Sequence, residues 1–170
     1  MSVLRFMMLL SLAVWVGALI LFPVVAEISF SVLPSRHLAG LVVGHSLRAL
    51  HWMAIVSGII FLASSLIQNR LWRGAFRVFA TQHLLVIAML GLTLVSQFVV
   101  IPRMDAIRAS SGEISMIPPG DPARLQFDSL HTWSTRIEGG VLLLGLVTLY
   151  LIAAESNSRF SKKTSVAVSS

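Results

Sequence analysis

The sequence predicts an all-α fold: an integral membrane bundle of four transmembrane helices with both termini cytoplasmic. Three observations predict it. Of the 170 residues, 56% are hydrophobic and only 12% are charged, whereas soluble domains carry about a quarter charged residues. The apolar residues are gathered in long blocks of the length that crosses about 30 Å of hydrocarbon, roughly 20 residues. The basic residues stand at the ends of those blocks rather than on one soluble face, as orientation in a membrane requires. The net charge of +6 is thereby explained without nucleic acid as a partner. There is no cysteine, which excludes disulfides, thiolate metal sites and cysteine nucleophiles.

The first block runs from about Leu4 to Phe30 and the second from about Leu41 to Ile67. The third runs from about Val78 to Ile101 and the fourth from about Leu130 to Ala154. Each must be a helix, because a lone segment in lipid has to satisfy its own backbone hydrogen bonds. The first block, with Val24, Val25 and Ala26 before Glu27, also resembles a signal peptide with its cleavage site. Its length, and Phe22 and Pro23 in the region where small residues are usual, favour an uncleaved helix.

An even number of spans puts both termini on one side. That side receives Arg5, Arg70, Arg73, Arg77, Arg159, Lys162 and Lys163. The other receives Arg36, Arg103, Arg108 and Arg124, the last three in a loop with Asp105, Glu113, Asp121 and Asp128. The excess on the first side predicts that it is cytoplasmic, with Trp72 among Arg70, Arg73 and Arg77 as an interfacial anchor. Residues 1–156 then form one four-helix domain, with an outer loop at 102–129, followed by a basic, disordered cytoplasmic tail at 157–170. In the loop, Pro118-Pro119-Gly120-Asp121-Pro122 predicts a helix start, with Asp121 as cap and Pro122 in the first helical position. The fourth helix is therefore expected to begin outside the membrane and enter it without a break.

Polar groups inside spans are costly, so they are the candidate site. At 100° per residue, Gly44, Arg48, His51, Ile55 and Gly58 share one face of the second helix, with His45 beside Arg48. His131, Ser134, Thr135, Glu138, Leu142 and Gly145 share one face of the fourth. Gln97 lies on the same stripe of the third helix as His83, about 21 Å from it along the axis. Glu27, His45, Arg48, His51, Gln97, His131 and Glu138 all fall in the outer half of the membrane. They predict an outward-facing polar core, with Arg48 paired to Glu138 or Glu27, and Arg136 snorkelling outward or meeting Glu27. Such a core serves as helix-packing glue, or as a site with Arg48 as an anion anchor or with Glu138 and histidines as a proton or cation site.

Other constellations are weaker. His131, Glu138 and His45 could hold a metal, but the i,i+4 histidine pair of helical zinc sites is missing. Haem between facing histidines is the alternative cofactor reading. It draws on His45, His51, His83 and His131, with His45 and His131 at similar depths. Asp128, Ser129 and His131 include triad residue types but point apart on one helix. Ala13-xxx-Gly17, Gly40-xxx-Gly44 and Ala54-xxx-Gly58 predict close helix approach, within the bundle or in a homo-oligomer.

Val14-Trp15-Val16-Gly17, Leu21-Phe22-Pro23-Val24-Val25-Ala26 and Leu38-Ala39-Gly40-Leu41-Val42-Val43-Gly44 carry a family likeness. So do Val95-Ser96-Gln97-Phe98, Ile101-Pro102-Arg103-Met104, Phe127-Asp128-Ser129-Leu130-His131-Thr132-Trp133-Ser134 and Glu138-Gly139-Gly140. In order and spacing these resemble the transmembrane protein 205-like family, whose bacterial members carry the label domain of unknown function 4149. The resemblance covers nearly the whole chain to about Ser156. It implies a four-helix integral membrane protein and supplies no catalytic residues. Eukaryotic relatives are linked to the handling of toxic metal compounds, which implies transport or resistance. A fainter likeness to copper-resistance membrane domains rests on a Trp-x-Gly opening and the pairs Leu50-His51 and Leu130-His131, without methionine-rich ligation.

The function expected is therefore non-enzymatic and without a cofactor: a protein of the bacterial inner (plasma) membrane that binds or passes a small solute or ion through its polar core. The lipid bilayer is its one certain partner. The alternatives are a haem-binding redox protein and a structural or assembly subunit.

Overall fold

In the computed structural model, the backbone is described for residues 3–73 and 81–168, and the side chains for residues 3–70 and 81–154. Val78, the expected start of the third span, and the basic residues Arg73, Arg77, Arg159, Lys162 and Lys163 lie outside the described side chains, as does Trp72. The elements are α1 (Val3–Val32), α2 (Arg36–Arg73), α3 (Thr81–Val95), a π turn (Ser96–Val100), α4 (Ile101–Ser111), a short 3₁₀ turn (Ile114–Met116) and α5 (Pro122–Val168). Four helices are long and apolar enough to cross a membrane: Val3–Val32, Arg36–Arg70, Thr81–Ser111 and Pro122–Ala154. They pack in a ring, α1 on α2, α2 on α3, α3 on α5 and α5 on α1. One end of the ring bears the α1–α2 turn and the α4–α5 connection and is here the loop end; the other bears the termini.

The faces follow from the solvent each helix meets. α1 buries Met8, Leu12, Trp15, Val16 and Leu19 and exposes Ile20, Leu21, Val24 and Ile28. Leu143, Val147 and Tyr150 of α5 are likewise exposed. An apolar exterior of this extent marks a surface made for lipid rather than water. A groove of about 440 Å³ between α1 and α2, lined by Leu10, Val14, Trp52, Met53 and Val56 among others, lies on that exterior.

The third span departs from the expected loop. Pro102 reads as a helix stop, yet the helix continues to Ser111. Pro102 has no N–H to give, and a π turn stands directly ahead of it, with the Ile101 N–H bonded to the Ser96 carbonyl. The wider turn admits one extra residue. Ser96, Gln97, Val100 and Ile101 are consequently all buried, and Met104 and Ile107 continue the buried face into α4. The connection between the third and fourth spans is thus residues 112–121, about a third of the expected outer loop.

At the other junctions local chemistry acts as the sequence suggests. Ser35 Oγ accepts the Leu38 N–H at 3.1 Å, so α2 starts at Arg36. Asp121 Oδ1 accepts the Ala123 N–H at 2.7 Å, and α5 begins at Pro122 and runs on into the apolar block unbroken. It continues to Val168, through most of the tail expected to be disordered. No Gly or Pro follows Gly145 to stop it. Asp121→Ala is expected to weaken the first turn of α5 by about 1 kcal/mol, the usual worth of such a cap. Faster amide exchange at residues 123–125 with the transmembrane part unchanged is the readout.

A polar core near the loop end as candidate functional site

His51 is the centre of the buried polar core. It is fully buried on α2, three residues past Arg48 and on the same face. Its Nδ1 lies 2.9 Å from Gln97 Oε1 in the π turn, and its Nε2 lies 2.7 Å from Glu138 Oε1 on α5. Ser96 Oγ donates to the same Glu138 oxygen at 3.2 Å. Three helices therefore meet at one imidazole. With Gln97 presenting its oxygen, both ring nitrogens donate, and His51 is an imidazolium against the Glu138 carboxylate. With the amide turned, a neutral His51 accepts from the Gln97 NH₂ and still donates Nε2–H to Glu138. The cluster holds its hydrogen bonds in either protonation state.

One turn toward the loop end lies a second cluster. Arg48 pairs with Asp105 of α4, and Arg108 Nη1 lies 3.6 Å from the same carboxylate. Arg108 also rests over the Phe127 ring of α5 at 4.9 Å. A Cβ on Gly40 would stand 3.9 Å, and one on Gly44 3.5 Å, from its guanidinium nitrogens. Gly40-xxx-Gly44 thus faces an arginine side chain at ordinary contact distance rather than a neighbouring backbone. The three charged groups are each about a quarter to a third exposed. Two guanidiniums share one carboxylate, so the cluster carries a net positive charge near the loop end of the bundle.

These contacts correct several expectations. Arg48 is paired with Asp105, not with Glu138 or Glu27, because the continuation of the third helix through the π turn brings Asp105 alongside α2. Glu138 is held by His51 instead. Of the two expectations for Arg136 the outward one agrees with its exposure, and it sits over the Trp133 ring at 5.7 Å. Of the seven residues expected in the core, His51, Gln97, Glu138 and Arg48 lie in or next to it. Glu27, His45 and His131 are exposed. The buried face of α5 runs through Ser134, Val141 and Thr148, which turns His131 and Thr135 outward. His45 Nδ1 is taken by the Leu41 carbonyl at 2.8 Å. The haem pair His45 and His131 is therefore not inside the bundle. No group of three or more His, Asp or Glu suited to a metal occurs among the described residues.

Ser96 and Asp105 were missed. Serine carries little signal by itself, and Asp105 follows a proline that reads as the end of the span. On the far side of the core from the loop end, His83 Nε2 lies 2.8 Å from Ser65 Oγ.

Four apolar helices around buried polar groups define a multi-pass membrane protein. The chain belongs to the family described as Domain of unknown function (DUF4149), whose model matches residues 10–113. The match takes in α1 to α4, with Arg48, His51, Ser96, Gln97 and Asp105, and ends before Glu138. No curated protein and no solved structure matches the chain.

Proposed function

We propose that this protein binds and passes a small ion or solute through the polar core, reached from the outer face of a bacterial plasma membrane, with both termini cytoplasmic. The observation that supports the reading is the continuity of polar groups from the half-exposed Arg48–Asp105–Arg108 cluster to fully buried His51 one turn deeper. A ladder of ionisable groups entering a bundle from one end is a costly feature for packing alone. The net positive mouth draws in an anion or a dipolar solute, and the His51–Glu138 pair beneath it exchanges a proton. A packing role is the competing reading, since buried pairs also fix helix orientation.

The chain's lack of cysteine makes the test direct. Single cysteines at Arg103, Ser96 and Thr148 are exposed, in intact cells, to a thiol reagent that cannot cross membranes. Arg103→Cys reports orientation and is expected to react. Ser96→Cys, beside Glu138, is expected to react more slowly, and Thr148→Cys, deeper on α5, not at all. An unreactive Ser96→Cys beside a reactive Arg103→Cys would leave the core as packing glue.

A further inference from the structure

We infer that the core carries protons across the bilayer, passing them between two histidine stations, His51 and His83, through a layer closed by Trp15. The inference rests on the reading above and follows the proton that the His51–Glu138 pair exchanges. Its first support is register. His51, Gly58 and Ser65 recur at seven-residue intervals on α2, and Gln97, Leu90 and His83 do so on the antiparallel third helix. Seven residues are nearly two turns, about 10.5 Å, so each trio lies on one face. The trios meet in order. His51 bonds Gln97 and Ser65 bonds His83. Between them a Cβ on Gly58 would stand 2.6 Å from Leu90 Cδ2 and 2.9 Å from Trp15 Cζ3. Two polar layers thus flank one closed apolar layer.

The second support is unspent hydrogen-bonding capacity. Among the described residues, the buried side-chain nitrogens without a partner are Trp15 Nε1 and His83 Nδ1. Trp15 lies in the middle layer and His83 in the far one, and both are about 1% exposed. Buried polar atoms are nearly always paired, so each orphan calls for an explanation, an ordered water or a functional role among them. The Trp15 ring meets Gly58 through Cζ3, and His83 meets Ser65.

The third support is the chemistry of imidazole, which takes a proton on one nitrogen and gives one up from the other. The groups facing His51 are Gln97 and Glu138. Arg48 is one turn away and held by Asp105, and α1 has no titratable residue between Arg5 and Glu27. A proton on the Glu138 carboxyl passes to His51 Nε2, leaving a carboxylate and an imidazolium. The Nδ1 proton then leaves to water entering the middle layer, and Gln97 turns its NH₂ to the bare nitrogen. His83 accepts that proton at Nδ1 and releases its Nε2 proton through the Ser65 hydroxyl. Turns of the His51 and His83 rings restore both starting tautomers, and Glu138 takes a new proton from the loop end, so one proton enters for each one delivered.

The test uses the full chain in liposomes with an entrapped pH dye and a potassium diffusion potential set by valinomycin. Proton flux above protein-free liposomes is expected. His51→Asn and His83→Asn should each lower it about tenfold or more, equivalent to about 1.4 kcal/mol on the barrier. Trp15→Phe, which keeps a ring against Gly58 and loses the N–H, should slow it while leaving the melting temperature near that of the parent. No flux from the parent protein overturns the inference, and so does flux that both histidine variants leave unchanged. If Ser96→Cys reacts from outside and no proton flux is seen, the proton path fails and the outer site stands. If Ser96→Cys is inert while Arg103→Cys reacts, and no proton flux is seen, both fail.

Discussion

Glu138→Ala is expected to destabilise the bundle by about 3 kcal/mol, at the lower end of the cost of breaking a buried ion pair. The carboxylate is the one group that satisfies both His51 Nε2 and the Ser96 hydroxyl. Its removal leaves a fully buried imidazole with only Gln97. The cost stays at the lower end because Gln97 still bonds the ring. His51→Leu/Glu138→Leu should recover most of the loss, since replacing both members with apolar side chains is often neutral or stabilising. Unfolding in mixed micelles, followed by fluorescence of the four tryptophans, measures both. A single variant within 1 kcal/mol of the parent (roughly the net worth of an ordinary hydrogen bond) would show that His51 and Glu138 are not coupled in the membrane. A double variant no more stable than the single would show that the site cannot accept apolar side chains. The double variant also separates stability from function. If it is as stable as the parent and inert in proton flux, the polar pair is retained for what it does rather than for holding helices together.

The four spans were legible because lipid constrains sequence strongly: a crossing helix must be apolar for its whole width, and nothing shorter serves. Helix ends were less so. Pro102 looked like a boundary, and only the π turn ahead of it carries the chain on. Periodicity placed His51, Gln97 and Glu138 in one core, since ionisable groups in lipid turn inward. It assigned the wrong partner to Arg48, because a hundred-degree wheel has no term for a π turn that brings Asp105 into reach. It also placed Glu27, His45 and His131 in the core. Depth along the chain does not fix direction, which is set by packing: α1 and α5 each turn a different stripe inward from the one those residues occupy. His45 further satisfies its ring on its own helix at Leu41, which a lone polar side chain near a helix end can do without any neighbour.

The small-residue pairs show the same limit and lead to the second large effect. Ala13-xxx-Gly17, Gly40-xxx-Gly44 and Ala54-xxx-Gly58 are alike as patterns, yet a Cβ on Gly17 would meet nothing within 4 Å and one on Gly44 would only touch Arg108. One on Gly58 would stand 2.6 and 2.8 Å from Leu90 Cδ2 and Cγ as well as 2.9 Å from Trp15. Leu90 can swing its terminal methyl, but moving its Cγ takes another χ1 rotamer, and the Trp15 ring is enclosed on every side. Gly58→Ala should therefore cost about 1–3 kcal/mol, the range for overpacking. Gly17→Ala should be neutral or stabilise by up to about 1 kcal/mol through helix propensity. Gly145, where a Cβ would come 2.7 Å from Val16 Cγ2 and 3.2 Å from Met89 Cε, should behave like Gly58. Measuring the three alanine variants side by side removes any effect common to Gly→Ala in lipid. Equal stabilities for Gly17→Ala and Gly58→Ala would mean that the middle layer is loose, with Trp15 and Leu90 free to yield. A large cost at Gly58 and Gly145 alone would mean that the layer between the two histidine stations is closed by contact, and that passage through it requires Trp15 or Leu90 to move.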